Sequence, residues 1–109
     1  MNSPGGQPMF KHVVMWKLMK KIGNQSKGNL ARQMKDRLET LPGKIDEIQE
    51  YEVGINIGES SAAFDIVLIS GFDNVDEFNS YRKHPAHQRV VDFIQTIQSE
   101  ARVVDYETD

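Results

Sequence analysis

Between Met9 and Met19, in MFKHVVMWKLM, Phe10, His12, Val14, Trp16 and Leu18 fall on one side and Met9, Lys11, Val13, Met15 and Lys17 on the other. That period of two predicts a strand, and the apolar centre of both sides predicts that both are covered. After KKIGNQSKG, which reads as a loop, the period changes. Leu30, Met34, Leu38 and Leu41 recur at helical spacing, with Arg32, Lys35, Asp36 and Glu39 around the remaining circumference. Pro42-Gly43 predicts the end of this amphipathic helix, because proline disfavours helical geometry in the residue before it and glycine accepts the turn that follows.

Ile45 and Ile48 lie in a short connection that predicts at most a helical turn. Tyr51, Val53, Ile55 and Ile57 then alternate as a second strand, closed by Gly58-Glu-Ser-Ser, and AAFDIVLISGF predicts a third, antiparallel to it. Asp73 or Asn74 can cap a helix whose first turn holds Asp76 and Glu77, at the positive end of its dipole. Pro85 interrupts that helix and suits the first position of a new one carrying Val90, Val91, Ile94 and Ile97. ARVVDYE predicts a closing strand. The order β-α-β-β-α-β, with the second helix broken, is that of an α+β, ferredoxin-like subunit: a four-stranded antiparallel sheet with helices on one face. The bare face would carry apolar side chains such as Val13 and Met15, or Val67 and Ile69, which predicts that a second copy covers it.

A length of 109 residues allows one domain with about two thirds of its unfolded surface buried. Residues 1–8, rich in Gly and Pro, read as a flexible tail, and residues 9–109 as the domain. The tail has neither a basic n-region nor an apolar h-region, and no apolar run reaches the roughly 18–20 residues of a spanning helix. A cytoplasmic location is expected. A net charge of −3, with acids and bases interspersed, gives no reason to expect nucleic acid or an anionic membrane as partner. The absence of cysteine excludes disulfides, thiolate catalysis and cysteine-ligated metal centres.

The stretches KHVVMWKL, LETLPGKI, YEVGINI, FDIVLISGFDNVDEFNSYRKHPAHQRVVDFI and VVDYE together resemble the stress-responsive A/B barrel domain (Dabb) family over about residues 9 to 107. YRKHPAH followed by VVDFI and a terminal VVDYE is the most specific part. The resemblance implies a dimeric α/β barrel, in which two ferredoxin-like subunits face each other through their sheets. The family includes plant stress and defence proteins, a very stable oligomeric plant protein and a plant polyketide cyclase, while most bacterial relatives have no assigned activity. In the cyclase, a histidine of the first strand, the last histidine of the HPAH motif and a tyrosine line the active site. They align with His12, His87 and Tyr81. The cyclase also carries a histidine where this chain has Ile66 and a tyrosine where it has Met34.

His84 and His87 lie three apart across a helix start, and no third ligand has a diagnostic spacing, so the pair does not read as a metal site. His84-Pro85 reads as punctuation between two helices. His12 and His87, with Tyr81, are the candidate catalytic residues: imidazole as base, imidazole or phenol as hydrogen-bond donor, for removing a proton beside a carbonyl. The helix dipole at His87 and desolvation at His12 would each favour the neutral ring. No cofactor is expected, since Gly54, Gly58 and Gly71 form no phosphate-binding GxGxxG. The expected function is binding of a small apolar or aromatic molecule, with cofactor-independent acid–base chemistry on an enolisable carbonyl or polyketide-like ligand. Two alternatives stand beside it: a non-enzymatic stress-protective structural oligomer, and a cofactor-free monooxygenase-like enzyme.

Overall fold

A computed structural model describes residues 8–109, so residues 1–7, most of the expected tail, lie outside the described residues. The elements are β1 (Phe10–Leu18), β2 (Lys21–Ile22), β3 (Gln25–Ser26), α1 (Lys27–Glu39), a 3₁₀ turn (Leu41–Gly43), β4 (Glu50–Ile55), β5 (Ile66–Phe72), α2 (Val75–Lys83), α3 (Pro85–Ile97) and β6 (Gln98–Glu107). The four long strands form one sheet in the order β4-β5-β1-β6, every neighbouring pair antiparallel. This is the expected ferredoxin-like arrangement.

Local chemistry moves several boundaries from where periodicity alone puts them. The expected loop at 20–28 contains a small ribbon, β2 with β3, turned at Gly23 with φ +59°, a conformation that glycine adopts without a Cβ clash. Ser26 ends the ribbon and starts α1, its hydroxyl accepting a hydrogen bond from the Asn29 amide at 3.3 Å. At the other end α1 stops at Glu39, and Leu41 reaches the core from the 3₁₀ turn instead.

The second strand stops at Ile55 because Asn56 turns the chain. Its side chain donates to the Gly58 carbonyl at 3.0 Å and accepts from the Gly58 amide at 3.1 Å, leaving Ile57 in solvent, 97% exposed. The third strand starts at Ile66 rather than Ala62, since the Ser60 hydroxyl accepts from the Ala62 amide and holds a turn there. The Asp65 carboxylate accepts from the Leu18 amide at 2.7 Å, tying the start of β5 to the end of β1. The closing strand begins at Gln98, earlier than ARVVDYE implies.

The core lies between the sheet and the helices. Val14, Trp16 and Leu18 of β1 and Ile66, Leu68 and Phe72 of β5 meet Leu30, Met34 and Leu38 of α1, Phe78 and Tyr81 of α2, and Val90, Ile94 and Ile97 of α3. Each such side chain contributes about 1.5–3 kcal/mol when fully buried. Ile66 and Met34, which stand where the cyclase has its histidine and tyrosine, are both in this core. On the opposite face Val13, Met15, Val67, Ile69 and Val104 share one side of the pleat, with Met15 41% and Val104 62% exposed. Both pairs that were alternatives by phase, Val13 with Met15 and Val67 with Ile69, lie on this open face together. Among the described residues no helix is long and apolar enough to cross a membrane.

Candidate active site

The pairing registers place Tyr51 opposite Ser70, Ser70 opposite His12, and His12 opposite Asp105. Cross-strand partners point to the same side of a sheet, so these four polar residues form one row across β4, β5, β1 and β6, on the side that carries the helices. Ser70 is fully buried, and its hydroxyl donates to the His12 carbonyl at 2.8 Å, which satisfies it and ties the row together.

At the end of the row His12 Nδ1 lies 2.6 Å from Asp105 Oδ1. A carboxylate accepts and does not donate, so in the neutral ring Nδ1 carries the hydrogen and Nε2 is left with a lone pair. The other side of the ring packs on Phe78, centroid to centroid 4.7 Å. His12 is therefore not enclosed by apolar groups as a strand histidine facing a core would be; a carboxylate orients it.

Tyr81 and His87 come down from the helices. Asn74 caps α2 with its side-chain oxygen, which accepts from the Glu77 amide at 2.9 Å. His84 is both the last cap of α2 and the first of α3: its amide donates to the Tyr81 carbonyl at 3.1 Å, and its Nδ1 accepts from the Ala86 amide at 3.0 Å, with Pro85 at the first helical position. This corner turns the chain so that the His87 ring lies on the Tyr81 ring, 4.3 Å between centroids.

His87 Nδ1 is 3.1 Å from the Arg82 carbonyl, which only accepts, so here too the hydrogen sits on Nδ1 and the neutral ring keeps a basic Nε2. Burial is the largest influence on this ring and lowers its pKa from the ordinary 6.5. The Arg82 carbonyl opposes that, and positive charge on His12, Arg82 and His84 adds to it. Burial thus acts in the direction of the expected neutral form.

The Tyr81 and Tyr51 hydroxyls are 2.9 Å apart. Burial pushes Tyr81 up to about 12 and raises Tyr51 as well, so both are neutral phenols at neutral pH. Whichever donates to the other, one O–H remains unspent. Phe10, Phe72 and Phe78 complete an aromatic wall, with Phe78 stacked 4.8 Å from Phe10 and edge-on 5.4 Å from Phe72.

The structure thus joins His87 to Tyr81 by direct ring contact, and His12 to that pair through Phe78. It adds two residues that the sequence reading did not single out, Asp105 and Tyr51. Two surface cavities lie elsewhere: one of about 280 Å³ on Met15, Gly54, Phe64 and Val67, and one of about 250 Å³ on Arg37, Lys44, Ala86 and Arg89. Neither is lined by His12, Tyr81 or His87. Among the described residues no three His, Cys, Asp or Glu side chains are grouped to hold a metal ion.

Comparison with known proteins places this geometry in context. An uncharacterised protein of Streptomyces coelicolor is 31% identical over 80 residues, which span 73% of this chain and 80% of that protein. A crystal structure of a dimeric protein of unknown function with a ferredoxin-like fold, from Bacteroides fragilis, is 33% identical and superposes with a TM-score of 0.81 over 92% of this chain and 96% of that one. A hydroxynitrile lyase from Passiflora edulis shares the fold at 15% identity, with a TM-score of 0.78 over 93% and 94% of the two chains. The stress responsive A/B barrel domain (Dabb) model matches residues 10–108, which take in β1 with His12, the Tyr81–His84–His87 corner and the terminal strand with Asp105; the chain belongs to the Dabb family.

Proposed function

We propose that residues 9–109 form a homodimeric domain that binds a small apolar or aromatic molecule and performs acid–base chemistry at a carbon next to its carbonyl group. The observation that carries this reading is the tautomer arrangement. Asp105 and the Arg82 carbonyl each engage an Nδ1, so His12 and His87 both present Nε2 as the basic atom, beside a phenol held neutral. His12 takes the α-proton, and the Asp105 carboxylate offsets the positive charge that develops on its ring. The Tyr81 hydroxyl donates to the oxygen on which enolate charge accumulates, and His87, half-buried and neutral, accepts or returns a proton at the leaving or receiving atom. The aromatic wall of Phe10 and Phe78 suits a planar ligand. The hydroxynitrile lyase supports the reading only as an instance of this fold in an enzyme.

A second reading, a non-enzymatic structural oligomer, is favoured by one specific observation: the cavities of about 280 and 250 Å³ both lie away from His12, Tyr81 and His87. One experiment separates the two. Acetylacetone and a series of aryl ketones are incubated with the protein in D₂O, and exchange of the α-protons is followed by NMR. The acid–base reading expects exchange above the buffer rate that falls in His12→Gln and His87→Gln variants of unchanged fold. Exchange at the buffer rate for every ketone, with thermal stability and assembly indifferent to both substitutions, selects the structural oligomer.

A further inference from the structure

The cavity of about 250 Å³ lies between the C-terminal end of α1, the 3₁₀ turn and the first turns of α3. Its floor is apolar: Leu41, Ala86 and Val90, all buried. Its rim carries Arg37, Lys44 and Arg89. The chain has 16 acidic against 13 basic side chains, and elsewhere Lys11, Lys17, Lys27, Lys35 and Arg102 each pair with a carboxylate. Among the described residues none of the three rim cations has such a partner; Lys20, Lys21, Arg32, Arg82 and Lys83 lack one too, so what sets Arg37, Lys44 and Arg89 apart is that they gather on one cavity.

Helix capping does not explain them. Cations often gather at a helix C-terminus to meet unpaired carbonyls. Here the chain meets those carbonyls itself. The Arg37 carbonyl accepts from the Thr40 amide at 3.2 Å and from its hydroxyl at 2.7 Å, and the Leu41 carbonyl accepts from the amides of Lys44 and Ile45, each at 2.9 Å. Arg37 is held in another way: its guanidinium lies over the Phe93 ring, 3.9 Å from the centroid. Stacking fixes the plane and leaves the N–H edge free, the geometry that takes an oxyanion through two parallel hydrogen bonds with little further ordering. Ala86 and Arg89 also belong to the positive, N-terminal end of α3, which adds to the same potential.

We propose that this cavity is a binding site for the phosphate group of a small organic phosphomonoester. Three cations match a dianion, and the Leu41 and Val90 floor receives the ester's apolar body. The site is separate from the histidine site: along α3, Ala86, Arg89 and Val90 face the cavity, whereas His87 faces Tyr81.

The test is an amide NMR titration of the full chain with phenyl phosphate, inorganic phosphate and benzoate at low ionic strength. The expected result is saturable shifts confined to the neighbourhood of Arg37, Lys44, Ala86 and Arg89, tightest for phenyl phosphate and weakened by added salt. Arg89→Gln weakens phenyl phosphate at least about tenfold, as loss of a charge-assisted hydrogen bond implies. Arg37→Gln/Arg89→Gln abolishes binding, and Lys20→Gln/Lys21→Gln, outside the cavity, leaves it unchanged; the spectra themselves report that each variant is folded. Benzoate or inorganic phosphate binding as tightly as phenyl phosphate, shifts scattered over all lysines, or an Arg89→Gln variant with wild-type affinity each overturn the proposal.

Discussion

His12 on β1 and Asp105 on β6 are direct cross-strand partners, and the imidazole Nδ1 lies 2.6 Å from the carboxylate. The contact orients the ring and selects its tautomer, so Asp105→Asn is the sharpest perturbation of the site. An amide can turn its NH₂ toward Nδ1, which moves the ring hydrogen to Nε2 and removes the basic atom. We expect ketone α-proton exchange to fall by about 100-fold or more, in line with the loss of a positioned base. The melting temperature should change little, because Asp105 is exposed at the sheet edge. Nitrogen-detected NMR of the ring checks the tautomer directly; an unchanged Nδ1–H form in the variant sinks the argument.

His87 links the site to pH. Its pKa in the folded protein is below the ordinary 6.5, chiefly through burial, so between the two values the unfolded chain holds more protons than the folded one. The contribution of the neutral ring is complete above about 6.5 and is lost as the pH falls from there through the lowered value. Urea unfolding measured from pH 8 down to pH 5 should therefore show stability declining on the acid side. His87→Asn should flatten that decline, and a wild-type slope in the variant would assign it to other groups.

The Tyr51–Tyr81 pair predicts a non-additive pattern. Tyr51→Phe leaves the Tyr81 hydroxyl buried without its partner at 2.9 Å, and Tyr81→Phe does the reverse; each should cost about 1–2 kcal/mol. The double variant leaves neither group orphaned, so its cost should be smaller than the sum of the two. Chemical denaturation of the four proteins measures the coupling directly, and simple additivity would show that the hydroxyls do not depend on each other.

How much of this was legible depends on how local each signal is. The inward face of β1 follows from alternation alone, and the helix break at His84-Pro85 follows from proline's missing amide and fixed φ; the corner at that position caps both helices. The strand ends were less legible, because Asn56 and Ser60 end pairing through side-chain bonds to their own loops, which hydrophobic period does not register. Asp105 was invisible as a site residue for a different reason. Its role depends on the register between the first and last strands, separated by 93 positions, and nothing in either strand alone fixes that register. Tyr51 shares the difficulty: alternation puts it on a strand face, while its partner is chosen by the packing of α2 on the sheet.

The open face of the sheet gives the last prediction. Val13, Met15, Val67, Ile69 and Val104 present a contiguous apolar surface on the side without helices, and Met15 at 41% and Val104 at 62% exposure are more than a solvated sheet needs. Strand β6 is also an edge, so the subunit alone leaves both an apolar face and unpaired backbone groups toward solvent. Two sheets packed face to face remove the first liability, and a two-fold arrangement lets the same residues serve both copies. Light scattering should accordingly give twice the 12.4 kDa subunit mass. Met15→Glu, which puts a carboxylate on this apolar face where the second sheet would have to desolvate it, should shift the protein toward monomer. Asp76→Ala, on the exposed first turn of α2 and away from this face, should not. A Met15→Glu protein that keeps the dimer mass would mean that the copies associate through another surface, such as the free edge of β6.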